Sequence, residues 1–582
     1  MQKTGSATET GVDAGEDGRP QRGPDAGRRH ATILWLVLGI TGGALLALAA
    51  VLGIGLFLSR AGETATAVPR FVEEAEAAGV HHVYGGEFPY FVGGGVATFD
   101  CDDDHRPDLY LAGGANAAAL YRNESPVGGA LRFTKISDPA TDLTRVLGAY
   151  PIDVDGDGLS DLAVLRNGGN VLLRGLGDCR FERANEAWGY DGGHALTAAF
   201  SATWEGSDVL PTLAFGNYLD LANAPDRSAC ADNELVRPSP GGDTYTAPVP
   251  LTPGYCTLSI LFSDWDRSGH TDLRMANDRH YYLDGEEQLW RIEPGEPPRP
   301  YTRADGWRRL VIWGMGIASY DVTGDGLPEV YLTSQGDNKL QTLADASGRP
   351  TFEDIAFDEG VTATRPYSGG DPLPSTAWHA EFQDVNNDGL VDLFVAKGNV
   401  EAQQDFASRD PSNLLLGRDD GTFVEAGETA GLVRFVKGRG GAVVDLNLDG
   451  LPDLVQVNRS VNVSLFRNVG SGTAAEPEPM GNWIAIRPRQ PGPNRDAIGS
   501  WIELRSGDRT AVREVTIGGG HASGELGWIH FGLGEAEGAQ VRVVWPQGGA
   551  SPWMDVAANR FVTVERGATE PVTWTPAAET TP

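Results

Sequence analysis

From residue 94 onward the chain alternates short apolar runs with Gly, Asn and Asp punctuation, and the alternation repeats. Six runs (GGVATFD, GAYPIDV, LSILFSD, GIASYDV, HAEFQDV, GAVVDLN) enter an acidic loop. Six more (DLYLAGG, DLAVLRN, DLRMAND, EVYLTSQ, DLFVAKG, DLVQVNR) leave it. A third run follows each turn, as in AALYRNE and VSLFRNV, and a fourth is clearest in CRFERAN, TFEDIAF and TFVEAGE. Runs of about four to eight residues, rich in β-branched and aromatic side chains and bounded by turn formers, predict strands. Four strands per repeating unit predict the blades of a β-propeller.

The loops share the spacing D-x-[DNT]-x-[DS]-G-x-x-[DE]. Oxygen side chains fall at positions 1, 3, 5 and 9: Asp100, Asp102, Asp104 and Asp108 in the first unit; Asp153, Asp155, Asp157 and Asp161 in the second; Asp264, Asp266, Ser268 and Asp272 in the fourth. The fifth unit has Asp321, Thr323, Asp325 and Glu329, the sixth Asp384, Asn386, Asp388 and Asp392, and the seventh Asp445, Asn447, Asp449 and Asp453. First positions lie 53, 111, 57, 63 and 61 residues apart. The 111-residue gap holds a third, blurred unit around residues 198–215 that has lost the carboxylates, making seven. Such ligands with a turn-forming Gly at position 6 describe a Ca²⁺ loop. The helix-loop-helix variety is excluded, because position 12 is Leu111, Val164, Met275, Leu332, Val395 or Gln456 rather than a carboxylate. Plain β-turn chemistry explains one Asp/Asn/Gly cluster but not one spacing kept six times. Gly158, Gly326, Gly389 and Gly450 hold position 6, His105 replaces Gly in the first loop, and Ser268 is a weaker ligand in the fourth. The expectation is four to six Ca²⁺ ions.

The seventh unit has no fourth strand of its own. Residues 70–80 repeat the pattern of residues 422–432, so strand 70–76 is expected to complete the last blade and close the ring without an unpaired edge. The propeller then covers 69–470, with a linker at 471–480.

Ahead of it, residues 1–30 are polar and expected to be a disordered cytoplasmic tail. Residues 31–59 carry no charge and are long enough for one transmembrane helix. The apolar run is about twice a signal-peptide core, which favours an uncleaved anchor. Arg19, Arg22, Arg28 and Arg29 against Arg60 and Arg70 place the N-terminus in the cytoplasm and the bulk outside, as a single-pass cell-membrane protein.

Composition then narrows the function. There are 80 Asp and Glu against 46 Lys and Arg, a net charge of −34, which argues against nucleic acid as partner. Much of that acidity sits in the loops, so it does not by itself indicate a cationic partner. Hydrophobic residues at 41 % and 14 Trp allow a packed core. The 4 Cys cannot be the main framework. Cys230 and Cys256 flank a Pro/Gly-rich insertion, and an oxidising compartment favours their disulfide; Cys101 and Cys179 are a second available pair.

The repeats resemble FG-GAP/VCBS repeats, the Ca²⁺-loop blades of integrin-α-type propellers. The segment that follows (Asn482-Trp-Ile-Ala-Ile, Ala497-Ile-Gly499-Ser, Phe531-Gly-Leu-Gly534, Val544-Trp545-Pro546-Gln-Gly548, Asn559-Arg-Phe-Val-Thr-Val-Glu565) resembles the ASPIC/UnbV domain of the cartilage acidic protein 1-like family, bacterial type. Gly518-Gly-Gly-His-Ala-Ser-Gly departs from the pattern by lacking a Ser-Gln step. The resemblance implies a Ca²⁺-binding envelope or extracellular module. Read from its own pattern, 481–568 holds six short strands, a small sandwich or barrel, followed by a disordered tail at 569–582.

No HExxH, GxSxG, CxxC or phosphate-binding glycine loop is present, and no catalytic residue or organic cofactor is assigned. His81-His82 reads as surface or turn, and His521 and His530 as structural rather than a ligand pair. Trp313, Trp378 and His379 are expected to line the central channel. The insertion at 216–256, with Tyr218, Tyr245 and Tyr255, is the expected contact rim. The fold class is thus all-β: a seven-bladed propeller, a small β domain and one N-terminal helix. The leading function is a membrane-anchored module that binds an extracellular protein or glycan. The alternative is an enzyme or accessory factor, such as a lyase, a hydrolase or a factor in natural-product biosynthesis, working at the channel mouth through perturbed carboxylates.

Overall fold

The computed structural model describes residues 67–278, 284–345 and 347–576. The cytoplasmic tail 1–30 and the membrane helix 31–59 lie outside the described residues. Among those described, no helix is long and apolar enough to cross a membrane.

Seven antiparallel blades of four strands follow one another along the chain, and Gly114–Ala117 adds a fifth strand to blade two. Their first strands run from Val96–Phe99 in blade one to Lys437–Val444 in blade seven. Each first strand touches the next, and the last touches the first, so the sheets form a closed ring. Burial explains the composition of these strands. Leu196–Thr203 and Thr257–Ser263 are buried at every position because neighbouring blades cover both faces. The outermost Phe181–Arg183 exposes Glu182 and Arg183. Phe71–Glu73 pairs with Ser464–Asn468 in register Phe71 to Asn468, making the fourth strand of blade seven. An ion pair between Arg467 and Glu74 (2.9 Å) adds to this closure.

Blade three is complete despite its missing carboxylates. Its turn is held by Arg237 on Glu205 (2.8 Å) and by the Thr212 hydroxyl on the same oxygen. The insertion expected as a rim instead supplies outer strands Asn233–Val236 and Val249–Leu251. Tyr218 and Tyr245 are correspondingly buried, which removes them as contact residues. Their apolar rings fill the space between blades, a use that loop-like composition hid. Both disulfides form: Cys230–Cys256 ties this insertion to blade four, and Cys101–Cys179 joins the first acidic loop to a turn of blade two.

The C-terminal part is a sandwich of two four-stranded sheets. Ile484, Ile486, Val562 and Val564 of one sheet meet Ile502, Leu504, Val541 and Val543 of the other. Two short strands, Met554–Ala557 and Val572–Trp574, add to the six expected. The second of these corrects the disordered tail at 569–582. Trp574 stacks on Trp528 (5.7 Å between centroids) and meets Phe561 edge to face (5.5 Å), and this aromatic packing holds the chain to residue 576; 577–582 lie outside the described residues.

The sandwich sends residues 517–525 into the propeller channel. Ser523 bridges to Ala149, Ile517 to Ala202, Gly518 to Leu261 and Gly520 to Ile317. Gly524–Glu525 lies parallel to Val96–Phe99 as an added strand. His521 N–H donates to His379 Nδ1 (3.2 Å), and Ser523 Oγ accepts from Val96 N–H (3.1 Å). The backbones approach so closely that a Cβ on Gly95 would lie 1.7 Å from the Ala522 carbonyl, and one on Gly148 2.1 Å from it. The channel's other end is closed by an apolar cluster that includes Val92, Leu147, Leu258, Met315 and Trp378.

Gly95→Ala is therefore expected to destabilise the protein by about 1–3 kcal/mol through overpacking, read as a lower denaturation midpoint in urea. An unchanged midpoint would mean that the channel is not filled in this way.

Candidate metal loops

Every acidic loop is built on the same two hydrogen-bond patterns. The ninth-position carboxylate reaches both ways along its blade. Asp108 accepts from Cys101 N–H (2.7 Å) in the loop and Asn123 N–H (2.7 Å) in the third strand. Asp161, Asp392 and Asp453 repeat this with Val154 and Gly175, Val385 and Gly417, and Leu446 and Asn468. Asp272 takes its loop bond from Trp265 Nε1 (2.8 Å), and Glu329 bonds Val322 N–H (2.8 Å) and Thr342 Oγ1 (2.8 Å). These carboxylates therefore tie the loop to the outgoing strands whatever else they hold.

The first-position carboxylate closes the turn by accepting the sixth-position N–H. Gly158, Gly326, Gly389 and Gly450 donate to Asp153, Asp321, Asp384 and Asp445 at 2.7–3.0 Å. Gly269 does the same for Asp264 (2.9 Å), so loop four also has its glycine. These glycines sit at φ between +83° and +92°, where a Cβ is costly. His105 takes the same place at φ 68°, its ring against Trp528 and Trp574 of the sandwich.

What remains inside the loops fits a hard cation. Asp153, Asp321 and Asp384 each keep one buried oxygen, Oδ1, without a partner, as do Asp102 Oδ1 and Asn447 Oδ1. Ligand oxygens of Asp100, Asp102 and Asp108, and of Asp153, Asp155 and Asp161, lie within 4.8 Å of one another. Burial, reinforced by neighbouring carboxylates, pushes Asp153 up to about 7 and Asp321 up to about 6, and holds Asp384 and Asp445 well above the ordinary carboxylate range. Crowded, desolvated carboxylates of this kind call for a positive charge.

In two loops a third-strand arginine supplies one. Arg122 lies 3.1 Å from Asp102, and Arg174 spans Asp155 (2.8 Å) and Asp157 (3.1 Å). The matching positions in blades five and six are Thr342 and Leu416, which carry no charge, and Arg467 of blade seven turns away to Glu74. No third-strand arginine forms an ion pair with the carboxylates of loops five, six and seven, although the charge of Arg467 still acts on Asp449. Sequence reading missed these arginines, although LYRN and LLRG showed a cation at one strand position.

The sandwich is seated on this loop face. Arg487 meets His105 (3.4 Å), Arg495 donates to Gly156 O (3.4 Å), and Glu514 accepts from Asp264 N–H (2.9 Å). Arg509 donates to Asp388 O (3.0 Å), and His530 Nε2 to Asn387 Oδ1 (2.6 Å). Trp483 packs against Leu448 of loop seven. The histidines singled out in the sequence are thereby placed apart. His530 sits at loop six, while His521 lies in the channel between Gly93 N–H (3.1 Å) and Met315 O (3.1 Å). Of the residues expected along the channel, His379 faces the buried cavity. Trp378 is fully buried, with Arg439 4.0 Å from its ring.

Family models add the names. Residues 490–571 match "ASPIC and UnbV", and residues 100–164 and 384–456 match "FG-GAP-like repeat". The chain carries FG-GAP-like repeats followed by an ASPIC and UnbV domain. The matched FG-GAP-like repeats contain loops one, two, six and seven. Cartilage acidic protein 1 of Mus musculus is 27 % identical over 241 residues, 40 % of this chain and 34 % of that protein; the Homo sapiens protein is also 27 % identical over 241 residues, 33 % of its length. The chain thus spans about a third of the curated relatives it matches. Solved structures that overlap it include BBS1N in complex with ARL6DN (TM-score 0.36, 13 % identity, 69 % of this chain and 100 % of that one). AofleA from Arthrobotrys oligospora also overlaps it (TM-score 0.31, 11 % identity, 57 % and 85 %).

The double bonding of the FG-GAP-like ninth position separates scaffold from ligand. Asp453→Asn is expected to cost about 1–3 kcal/mol in urea denaturation even in chelator, because one buried N–H loses its acceptor. Asp384→Asn, which keeps an acceptor for Gly389, is expected to change stability by less than half as much in chelator and to weaken only the response to added Ca²⁺. Equal losses for both would contradict the division.

Proposed function

We propose that the protein is a membrane-anchored, extracytoplasmic Ca²⁺-binding propeller that serves as a binding or adhesion module for an extracellular protein or glycan. The observation that carries the metal part is the set of buried, unpartnered oxygens of Asp153, Asp321 and Asp384 inside loops of Ca²⁺ spacing. In each loop positions 1, 3 and 5 would hold the ion, with position 9 shared between the ion and the backbone. Bound Ca²⁺ supplies the positive charge that the crowded carboxylates lack. Loops five, six and seven are the strongest candidates, because no third-strand arginine forms an ion pair with their carboxylates.

The binding part rests on the FG-GAP-like propeller with its ASPIC and UnbV domain, a combination suited to presenting surfaces. The uncharged run at 31–59 supports the anchor, and the arginines before it support the orientation. A second reading, chemistry at the channel mouth, draws on Glu381, raised to about 7 by burial, and Glu525, which burial raises well above its ordinary range. The sandwich covers both groups, so that reading requires the joint between propeller and sandwich to open.

Thermal unfolding of the full-length protein in millimolar Ca²⁺ and in chelator tests the metal. Three or four sites of extracellular affinity would each contribute about 1 kcal/mol, raising the melting temperature by about 3–6 °C, with calorimetric stoichiometry to match. An identical melting temperature in both solutions would leave the loops as turn chemistry alone.

A further inference from the structure

Between the channel mouth and the sandwich lies a cavity of about 170 Å³ whose walls come from both parts. Two carboxylates meet in it. Glu381 belongs to the inner strand of blade six and Glu525 to the inserted segment. A single backbone N–H, that of Val443 in blade seven, points at both: Glu381 Oε2 at 3.0 Å and Glu525 Oε1 at 3.3 Å. Glu381 Oε1 is buried without a hydrogen-bond partner. Two ionised carboxylates cannot share one donor at this separation without severe repulsion; one proton between them turns the contact into a strong hydrogen bond.

We propose that Glu381 and Glu525 form one proton-binding site, and that the shared proton latches the inserted segment into the channel. The surrounding groups do not replace that proton. His379 Nδ1 accepts from His521 N–H, so its Nε2–H faces Glu381 Oε2 (3.4 Å) as a neutral imidazole, held down to about 4 by burial. The charge of Arg513 acts on both carboxyls, but its guanidinium donates to Gln383 (3.4 Å). Glu514 is already bonded to Ser263 and Asp264, and His530 to Asn387. Arg487, Asp496 and Asp445 line the same cavity. Burial raises Glu381 to about 7 and Glu525 well above its ordinary range of about 4.5. A carboxyl raised on folding stabilises fully below its unfolded value, and that stability is lost as pH climbs through the folded one. The latch is therefore strongest below about pH 4.5 and weakens progressively as pH climbs through the folded values; above about pH 6.5 that loss is read without interference from the histidines. His379, His521 and His530, lowered to about 4, 3 and 3, have the opposite sign, but their effect is spent once pH exceeds 6.5.

Amide hydrogen exchange of the full-length protein between pH 6.5 and 8, at constant Ca²⁺, reads the latch. Rates for residues 518–526 are divided by those for Asp392–Lys397 in blade six, so that intrinsic pH dependence cancels. The ratio is expected to rise by up to about tenfold per pH unit. In Glu381→Gln, which keeps a hydrogen-bond donor but cannot ionise, the ratio is expected to stay flat, as in Glu525→Gln. A wild-type ratio independent of pH, or one that rises equally in both variants, would overturn the proposal. The wild-type measurement decides it even if a variant fails to fold.

Discussion

A carboxylate at the ninth position of each acidic loop accepts two backbone or side-chain donors, one from its own loop and one from the third strand. This contact recurs in six blades, and the rest of the structure follows from it. It fixes where the second strand begins relative to the first and anchors the third beside them, so each blade has a defined register at the loop end. The bond is buried, which gives it strength and makes its loss costly. Asp108, Asp161, Asp392 and Asp453 are fully buried, or nearly so, for this reason rather than in spite of their charge. Blade three shows the alternative: without a carboxylate there, an ion pair between Arg237 and Glu205 secures the same turn.

Gathering acids at one end of six of the seven blades creates a face with too much negative charge for its degree of burial. The structure relieves it in different ways in different loops. Arg122 and Arg174 swing in from third strands, Arg487, Arg495 and Arg509 come from the sandwich, and orphaned oxygens in loops two, five and six leave room for a cation. The acidic face is thus also the platform on which the C-terminal sandwich sits. That sandwich fills the channel with residues 517–525.

Much of this was legible in sequence. The period of apolar runs gave seven blades, including the blurred third one, because strand burial does not depend on the acidic loop. Residues 70–80 betrayed the closing strand by repeating the fourth-strand pattern. The insertion at 216–256 was misread because Pro and Gly punctuation masks the short strands Asn233–Val236 and Val249–Leu251. The inserted segment was illegible for a different reason. Gly518-Gly-Gly-His reads as a flexible loop when only local propensity is considered, whereas its glycines are required by backbone contact with blades far away in sequence. Gly95 and Gly148, which receive it, carry the same signal and look like ordinary strand-start glycines. The candidate ligands were readable from spacing. Which loops an arginine already neutralises depends on side-chain direction across a blade and was not.

X-ray diffraction from crystals of the full-length protein grown in millimolar Ca²⁺, recorded for calcium anomalous scattering, tests the central account most directly. Anomalous peaks are expected between positions 1, 3 and 5 of loops five, six and seven, with residues 517–525 threaded along the inner strands of the ring. Loops without peaks around an open channel would contradict both halves of it.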